Sequence, residues 1–263
     1  MSTVTIMAGE GGNGKSMQAQ RYPEPIAYLD FEYPKGDLTR KNHNAERLIT
    51  MFPCREYYGY NLVKKDEGYI FEKAEIPKGF KKGQINIQKT YDIIKSTVDA
   101  ILDNSSDYET IVLDSVSDIR EIVADVWLIE YRKKEPKNAG RKVIGKDPSA
   151  WSAINKIVCD DILFPIINIG RIENKNIVFT ARLEDEYKTI TLESGKEESA
   201  KSGKRVIDVQ DWITFEIDVI ARLDATEKGK YFMQCSKTPK GVIPKTDITG
   251  KNVYDVLSDL EVR

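Results

Sequence analysis

Short, mostly apolar runs recur along this chain at Val4–Ala8, Ile26–Phe31, Thr110–Leu113 and Asn176–Ala181, each bounded by polar or glycine-containing sequence. Unbroken runs of this kind suit strands covered on both faces in a parallel sheet, because a strand with one wet face would alternate apolar with polar positions. The sequence between them has a different period. Ile87, Tyr91, Ile94, Val98, Ile101 and Leu102 recur at helical spacing within 85–102, and Ser117–Tyr131 and Trp151–Phe164 read as helices on the same grounds. Lys15 to about Arg21 reads as a further helix, kept short by Pro23 and Pro25. The alternation predicts an α/β fold, a mostly parallel twisted sheet flanked by helices.

The pattern changes in three places. Phe215–Leu223 and Tyr231–Ser236, separated by Asp224–Lys230 with its Gly229, read as an antiparallel pair closing the C-terminal edge of the sheet, and Val253–Leu260 as a short last helix. Residues 34–84 are rich in Lys, Gly and Tyr and read as an insertion, in which Tyr57–Val63 and Tyr69–Glu75 pair as a hairpin. Two polar stretches, 132–146 and 184–205, read as loops, the first punctuated by Pro136, Gly140 and Gly145 and the second by Gly195 and Gly203. No repeat and no clear linker divides the chain, so residues 1–263 are expected to form a single domain.

Composition narrows the class. The 263 residues are 40% hydrophobic and 31% charged, enough to bury a large core and keep a wet surface. No apolar stretch approaches the about 20 residues of a membrane span, and the N-terminus enters the first strand directly, so a cytoplasmic protein without membrane contact is expected. Cys54, Cys159 and Cys235 are odd in number and widely spaced, and His43 is the sole histidine; buried free thiols are expected rather than disulfides or a metal site. A net charge of −2 leaves no uniformly basic surface, so any nucleic-acid contact must come from local patches.

The candidate chemistry begins just after the first strand. Gly9-Glu10-Gly11-Gly12-Asn13-Gly14-Lys15-Ser16 matches the phosphate-binding loop G-x-x-x-x-G-K-[ST] at every fixed position. In such a loop the glycines let successive N–H groups turn inward around phosphate oxygens, Lys15 reaches the β and γ phosphates, and the Ser16 hydroxyl ligates Mg²⁺. Nucleoside triphosphate binding follows, with ATP and Mg²⁺ as the expected cofactors. Asp114 ends a later apolar strand, where open parallel sheets collect their ligands, and has the form of the second, Mg²⁺-organising acidic motif of these ATPases. Asp30 and Glu32 end the strand that begins at Ile26, and either could orient or deprotonate the water that attacks the γ phosphate. One side-chain alternation separates them, so spacing does not choose.

Leu29-Asp30-Phe31-Glu32 resembles the strand-end D-x-E of RecA-type recombinases, and Ile111-Val112-Leu113-Asp114-Ser115-Val116 is similar to that family's V-V-D-S-V segment, in the same order and spacing. The short helix after the phosphate loop looks most like that of the compact RecA-core ATPases of phages and other viruses. The resemblance implies a RecA-like P-loop NTPase core that couples ATP hydrolysis to single-stranded DNA binding in recombination or replication, acting as a homo-oligomer. It makes Glu32 the catalytic base, with Lys15 and Asp114 completing the machinery, and it makes Thr180 or Arg182 the sensor of the γ phosphate, although the family has glutamine there. It places DNA-binding loops at 132–150 and 184–205, and lets Lys237 and Lys240 reach a neighbouring subunit's nucleotide. The residues themselves agree on the first loop: Arg132, Lys133, Lys134, Arg141, Lys142 and Lys146 could neutralise phosphates, with Tyr131 and Trp151 flanking them as stacking groups.

Other readings are weaker. Partition-type ATPases carry a lysine where this loop has Glu10, and Ile177 stands where a guanine-binding aspartate would follow Asn174-Lys175-Asn176. A small-substrate kinase would use the same phosphate loop, and a nucleotide-gated DNA-binding or assembly module would use it with little hydrolysis.

Overall fold

The computed structural model describes residues 3–32, 48–65, 68–135, 148–191, 197–209 and 211–260. Arg141, Lys142, Lys146 and His43 lie outside them. The main sheet contains β1 (Val4–Ala8), β2 (Ile26–Asp30), β3 (Ile49–Pro53), β6 (Thr110–Asp114), β7 (Asn176–Ala181), β10 (Val219–Ala225), β11 (Tyr231–Lys237) and β12 (Ile243–Asp247). Two further hairpins stand apart from it, β4 (Tyr60–Lys65) with β5 (Gly68–Lys73), and β8 (Leu183–Thr191) with β9 (Glu197–Ile207). The eight strands lie in the order β12-β11-β10-β1-β7-β6-β2-β3, parallel from β10 through β3 and antiparallel at β11 and β12. This is the α/β fold expected, with its antiparallel C-terminal edge.

The helices are α1 (Lys15–Ala19), α2 (Ile87–Asp103), α3 (Val116–Lys134), α4 (Pro148–Val158), α5 (Phe164–Ile172) and α6 (Val253–Asp259). A π turn, Cys159–Leu163, joins α4 to α5 just before Pro165, which has no N–H to continue the regular ladder. The sheet alternation sorts the core into two layers. Ile6, Ala8, Leu29, Leu113 and Phe179 point to the side covered by α2–α5, through Ile94, Ile122, Ile154 and Ile166. Met7, Tyr28, Val112 and Val178 point to the side covered by α1 and α6, through Ala19, Val253 and Leu257. Both faces of β1, β2, β6 and β7 are therefore dry, which is why they read as continuous apolar runs. Among the described residues no helix is long and apolar enough to cross a membrane. Cys54, Cys159 and Cys235 are buried free thiols, as expected.

Several expectations need correcting. The stretch 184–205 does not read through as a loop: Leu183–Thr191 and Glu197–Ile207 pair as the antiparallel β8–β9 hairpin, whose mostly charged and polar strands carry no apolar period. Arg132, Lys133 and Lys134 belong to the last turn of α3, where cations complement the helix dipole, rather than opening a loop. Phe215 ends a 3-10 turn, Asp211–Phe215, instead of starting a strand. Within 34–84, Ile49–Pro53 joins the main sheet beside β2, while β4 and β5 form the separate hairpin anticipated near Tyr57–Glu75.

Gly170 shows how closely α5 sits on the sheet. A Cβ there would lie 2.4 Å from Cγ1 of Ile177, a fully buried β7 side chain. With so close an approach overpacking should cost about 2–3 kcal/mol, and alanine returns about 1 kcal/mol of helix propensity, so Gly170→Ala is expected to lose about 1–2 kcal/mol net. Thermal denaturation followed by circular dichroism checks this, and an unshifted midpoint would mean that Ile177 moves aside freely.

Candidate functional site

The loop Gly9–Ser16 joins β1 to α1 and lies at the carboxyl end of the parallel strands, beside β10 and β7. Gly9 donates its N–H to the Ala181 carbonyl at 3.4 Å, and a Cβ on Gly9 would approach the Leu223 carbonyl to 2.6 Å, so no side chain fits there. The Asn13 amide donates to the same Leu223 carbonyl at 2.9 Å, pinning the middle of the loop to β10. Gly14 precedes α1 in the left-handed region with φ 78°, a conformation glycine adopts at no steric cost. These contacts hold the loop as a cradle of backbone groups, with Gly11 and Gly12 on its open side.

The Lys15 ammonium donates to the Gly9 and Glu10 carbonyls, both at 2.9 Å, and so stands inside the mouth of the loop. Burial pulls its pKa below the ordinary lysine value, while the charges of Asp114, Glu32 and Glu10 oppose the shift. Asp114 and Glu32, two of the acids selected from the sequence, are thus within electrostatic reach of this cation, as is the Arg182 charge, which adds to the lowering.

Strand register brings them there. Asp30 on β2 pairs with Asp114 on β6, and Leu113 pairs with Phe179, which sets Thr180 of β7 beside Asp114. All three side chains follow the alternation toward the α1 face. The Thr180 hydroxyl donates to one Asp114 oxygen and the Tyr28 hydroxyl to the other. The Tyr28 oxygen is also hydrogen-bonded by Ser16, so Ser16, Tyr28, Asp114 and Thr180 form one chain of oxygens that leaves the phosphate loop for β2 and returns through β6 to β7. Burial, reinforced by Asp114, holds the Tyr28 phenol well above the usual range, and it therefore acts as a neutral donor. The hydroxyl and carboxylate set is hard and oxygen-only, which fits Mg²⁺.

Asp30 and Glu32 are separated by environment. Asp30 is fully buried; one oxygen accepts the Glu32 N–H at 2.8 Å and the other has no hydrogen-bond partner. Burial, with the Asp114 charge beside it, pushes its pKa up to about 7. Glu32 is partly exposed at the mouth of the site. Arg182 departs from Thr180: its guanidinium pairs with Glu121 at 3.1 Å and with Asp118 at 3.5 Å. Asp118 is itself buried at the first turn of α3, and also meets Arg55 at 2.6 Å and the Ser115 hydroxyl.

The other candidates lie elsewhere. Lys237 pairs in register with Ile220, near the amino end of β10, and donates to the Thr214 carbonyl at 2.7 Å. Lys240 follows in the turn Thr238–Gly241. Both are at the opposite end of the sheet from the chain's own phosphate loop. Trp151 has Arg120 over one face of its ring, 4.4 Å from the centroid. Tyr131 stacks on Trp127 at 5.1 Å, one helical turn from Arg132–Lys134. Sequence reasoning missed Tyr28, although a phenol two residues before Asp30 in a buried strand had to share its face. It also missed Arg205, which reaches Glu10 across 195 residues and left no local signal.

No curated protein sequence matches the chain. A family model described as an AAA domain does match it, over residues 2–243, a span that takes in the loop, the parallel strands that position it and the acids at their ends. This protein belongs to the AAA domain family and, with it, to the nucleotide-binding P-loop ATPases.

Proposed function

We propose that this protein is a RecA-like ATPase that couples Mg²⁺-dependent ATP hydrolysis to single-stranded DNA binding in recombination or replication. The observation that carries the ATPase part is the convergence of Lys15, Ser16, Asp114 and Glu32 on one mouth, supplied by the loop and two strands. Gly9–Ser16 would bind the triphosphate through backbone N–H groups, with the Lys15 ammonium exchanging its two carbonyl acceptors for phosphate oxygens. Ser16 and Asp114 would hold Mg²⁺, which when bound offsets the charge of the β and γ phosphate oxygens. Tyr28 and Thr180 fix the Asp114 carboxylate by donating to both its oxygens; of the two sensor candidates, Thr180 reaches the site through Asp114 and Arg182 through the charge it exerts on Lys15. Glu32 orients and deprotonates the attacking water, since Asp30 is sealed from solvent and keeps its proton up to about pH 7.

Two features support the DNA and assembly parts. The last turn of α3 sets Arg132, Lys133 and Lys134 beside the Trp127–Tyr131 stack, the mixture of cations and rings that suits a single strand. Lys237 and Lys240, remote from their own loop, could serve a nucleotide only from a second copy of the chain, as a homo-oligomer would allow.

Steady-state phosphate release with Mg²⁺, with and without single-stranded DNA, tests the reading: stimulation by DNA is expected, and turnover indifferent to DNA would transfer the protein to another class of P-loop enzyme. Neutralising Lys133, Lys134, Arg141 and Lys142 together should weaken DNA binding and lower the salt slope by up to about 3, from four phosphate contacts at roughly 0.7 each. A titration series at several salt concentrations reads this directly, and an unchanged slope would reduce the four to surface charge.

A further inference from the structure

The β8–β9 hairpin leaves the sheet directly after β7 and returns past the phosphate loop. At its base Arg205 has three partners: it pairs with the Glu10 carboxylate at 3.0 Å, donates to the Leu183 carbonyl at 2.6 Å and lies in ion-pair range of Asp185 at 3.6 Å. Glu10 is the second residue of the loop, and its carbonyl accepts from the Lys15 ammonium at 2.9 Å. One residue, Glu10, therefore holds both cations, the Arg205 guanidinium through its carboxylate and the Lys15 ammonium through its carbonyl. Arg205 is partly exposed, so it can turn without unpacking a core.

We propose that Arg205 is a γ-phosphate contact supplied in cis by the hairpin, parked on Glu10 and transferred to the terminal phosphate when a triphosphate fills the loop. This rests on the ATPase reading above. An exposed carboxylate–guanidinium pair is weak because solvent screens it, whereas a terminal phosphate offers more negative charge and accepts two parallel bonds from the planar fork. The exchange is therefore downhill once the γ phosphate is present, and a diphosphate leaves Arg205 on Glu10. During hydrolysis the water oxygen bonds to the γ phosphorus as the bond to the β–γ bridging oxygen breaks; ADP leaves with that electron pair and the water's proton passes to Glu32. Arg205 makes and breaks no covalent bond; it stabilises charge on the transferring group.

The test is calorimetric titration of the full chain, wild type, Arg205→Ala and Arg205→Lys, with the Mg²⁺ complexes of a β,γ-imido ATP analogue and of ADP, alongside steady-state turnover. Arg205→Ala is expected to weaken the analogue about 10-fold and turnover about 100-fold, with ADP affinity within about twofold of wild type, and Arg205→Lys to fall between, retaining charge without the fork. Equal loss for both nucleotides would mean that Arg205 only braces the loop, and no loss for either would make it a surface charge; both results overturn the proposal. Far-UV circular dichroism of each variant checks that the hairpin and sheet are formed. Failure of the wild type to bind either nucleotide would instead remove the ATPase reading, a result distinct from any of these.

Discussion

Lys15→Ala is expected to reduce ATP turnover by about 10³-fold or more and to weaken triphosphate binding severely, because it removes the one ammonium inside the mouth of the loop. The loop itself should survive. Gly9 and Asn13 tie it to β7 and β10 without help from Lys15, and the carbonyls that lose a donor, those of Gly9 and Glu10, are near enough to the open side for water to replace it. Fluorescent-nucleotide titration together with a thermal melt separates the two effects. A variant that keeps wild-type turnover would show that the triphosphate is bound elsewhere.

Glu32→Gln is the second. The change keeps shape and hydrogen-bonding capacity but removes the base, so turnover should fall by about 10²–10⁴-fold while the triphosphate stays bound. The backbone contact that positions residue 32, its N–H to Asp30 at 2.8 Å, does not depend on the side chain and is retained. Quench-flow or steady-state phosphate release, paired with binding, reads both halves. Normal turnover by the variant would remove Glu32 from the mechanism and return attention to Asp30, whose second oxygen is buried without a partner. Loss of binding along with turnover would instead give Glu32 a part in holding the nucleotide, since its charge is felt by Lys15.

The elements that the sequence made legible are those whose signal is local. β1, β2, β6 and β7 were readable because strands dry on both faces have no polar alternation to confuse with a loop, and α2 because Ile94, Val98 and Ile101 repeat at helical spacing into one core layer. The β8–β9 hairpin was not readable, because its two strands lie off the main sheet and most of its described side chains are at least partly wet, so no apolar period marks them. β3 failed for another reason. Ile49–Pro53 is a short edge strand embedded in sequence resembling an insertion, and only its pairing with β2 distinguishes it. The same division holds in the site. Gly9–Ser16 is a contiguous motif whose chemistry depends on residue types at fixed offsets, and Asp30, Glu32 and Asp114 announce themselves as carboxylates ending apolar strands.

By itself, then, the amino-acid order determined the fold class, the phosphate loop and the set of acids that could serve it, because each of these rests on spacing within a few residues or on one strand's pattern. Only the tertiary structure decided how those acids divide their environments. Parallel register put Asp30 against Asp114 and sealed it, left Glu32 at the mouth, and threaded Tyr28 and Thr180 onto the Asp114 carboxylate. It also brought Arg205 to Glu10 and sent Lys237 to the far end of the sheet. Such pairings join residues up to 195 positions apart, and burial, the agent that separates one carboxylate from another, exists only once the strands have met.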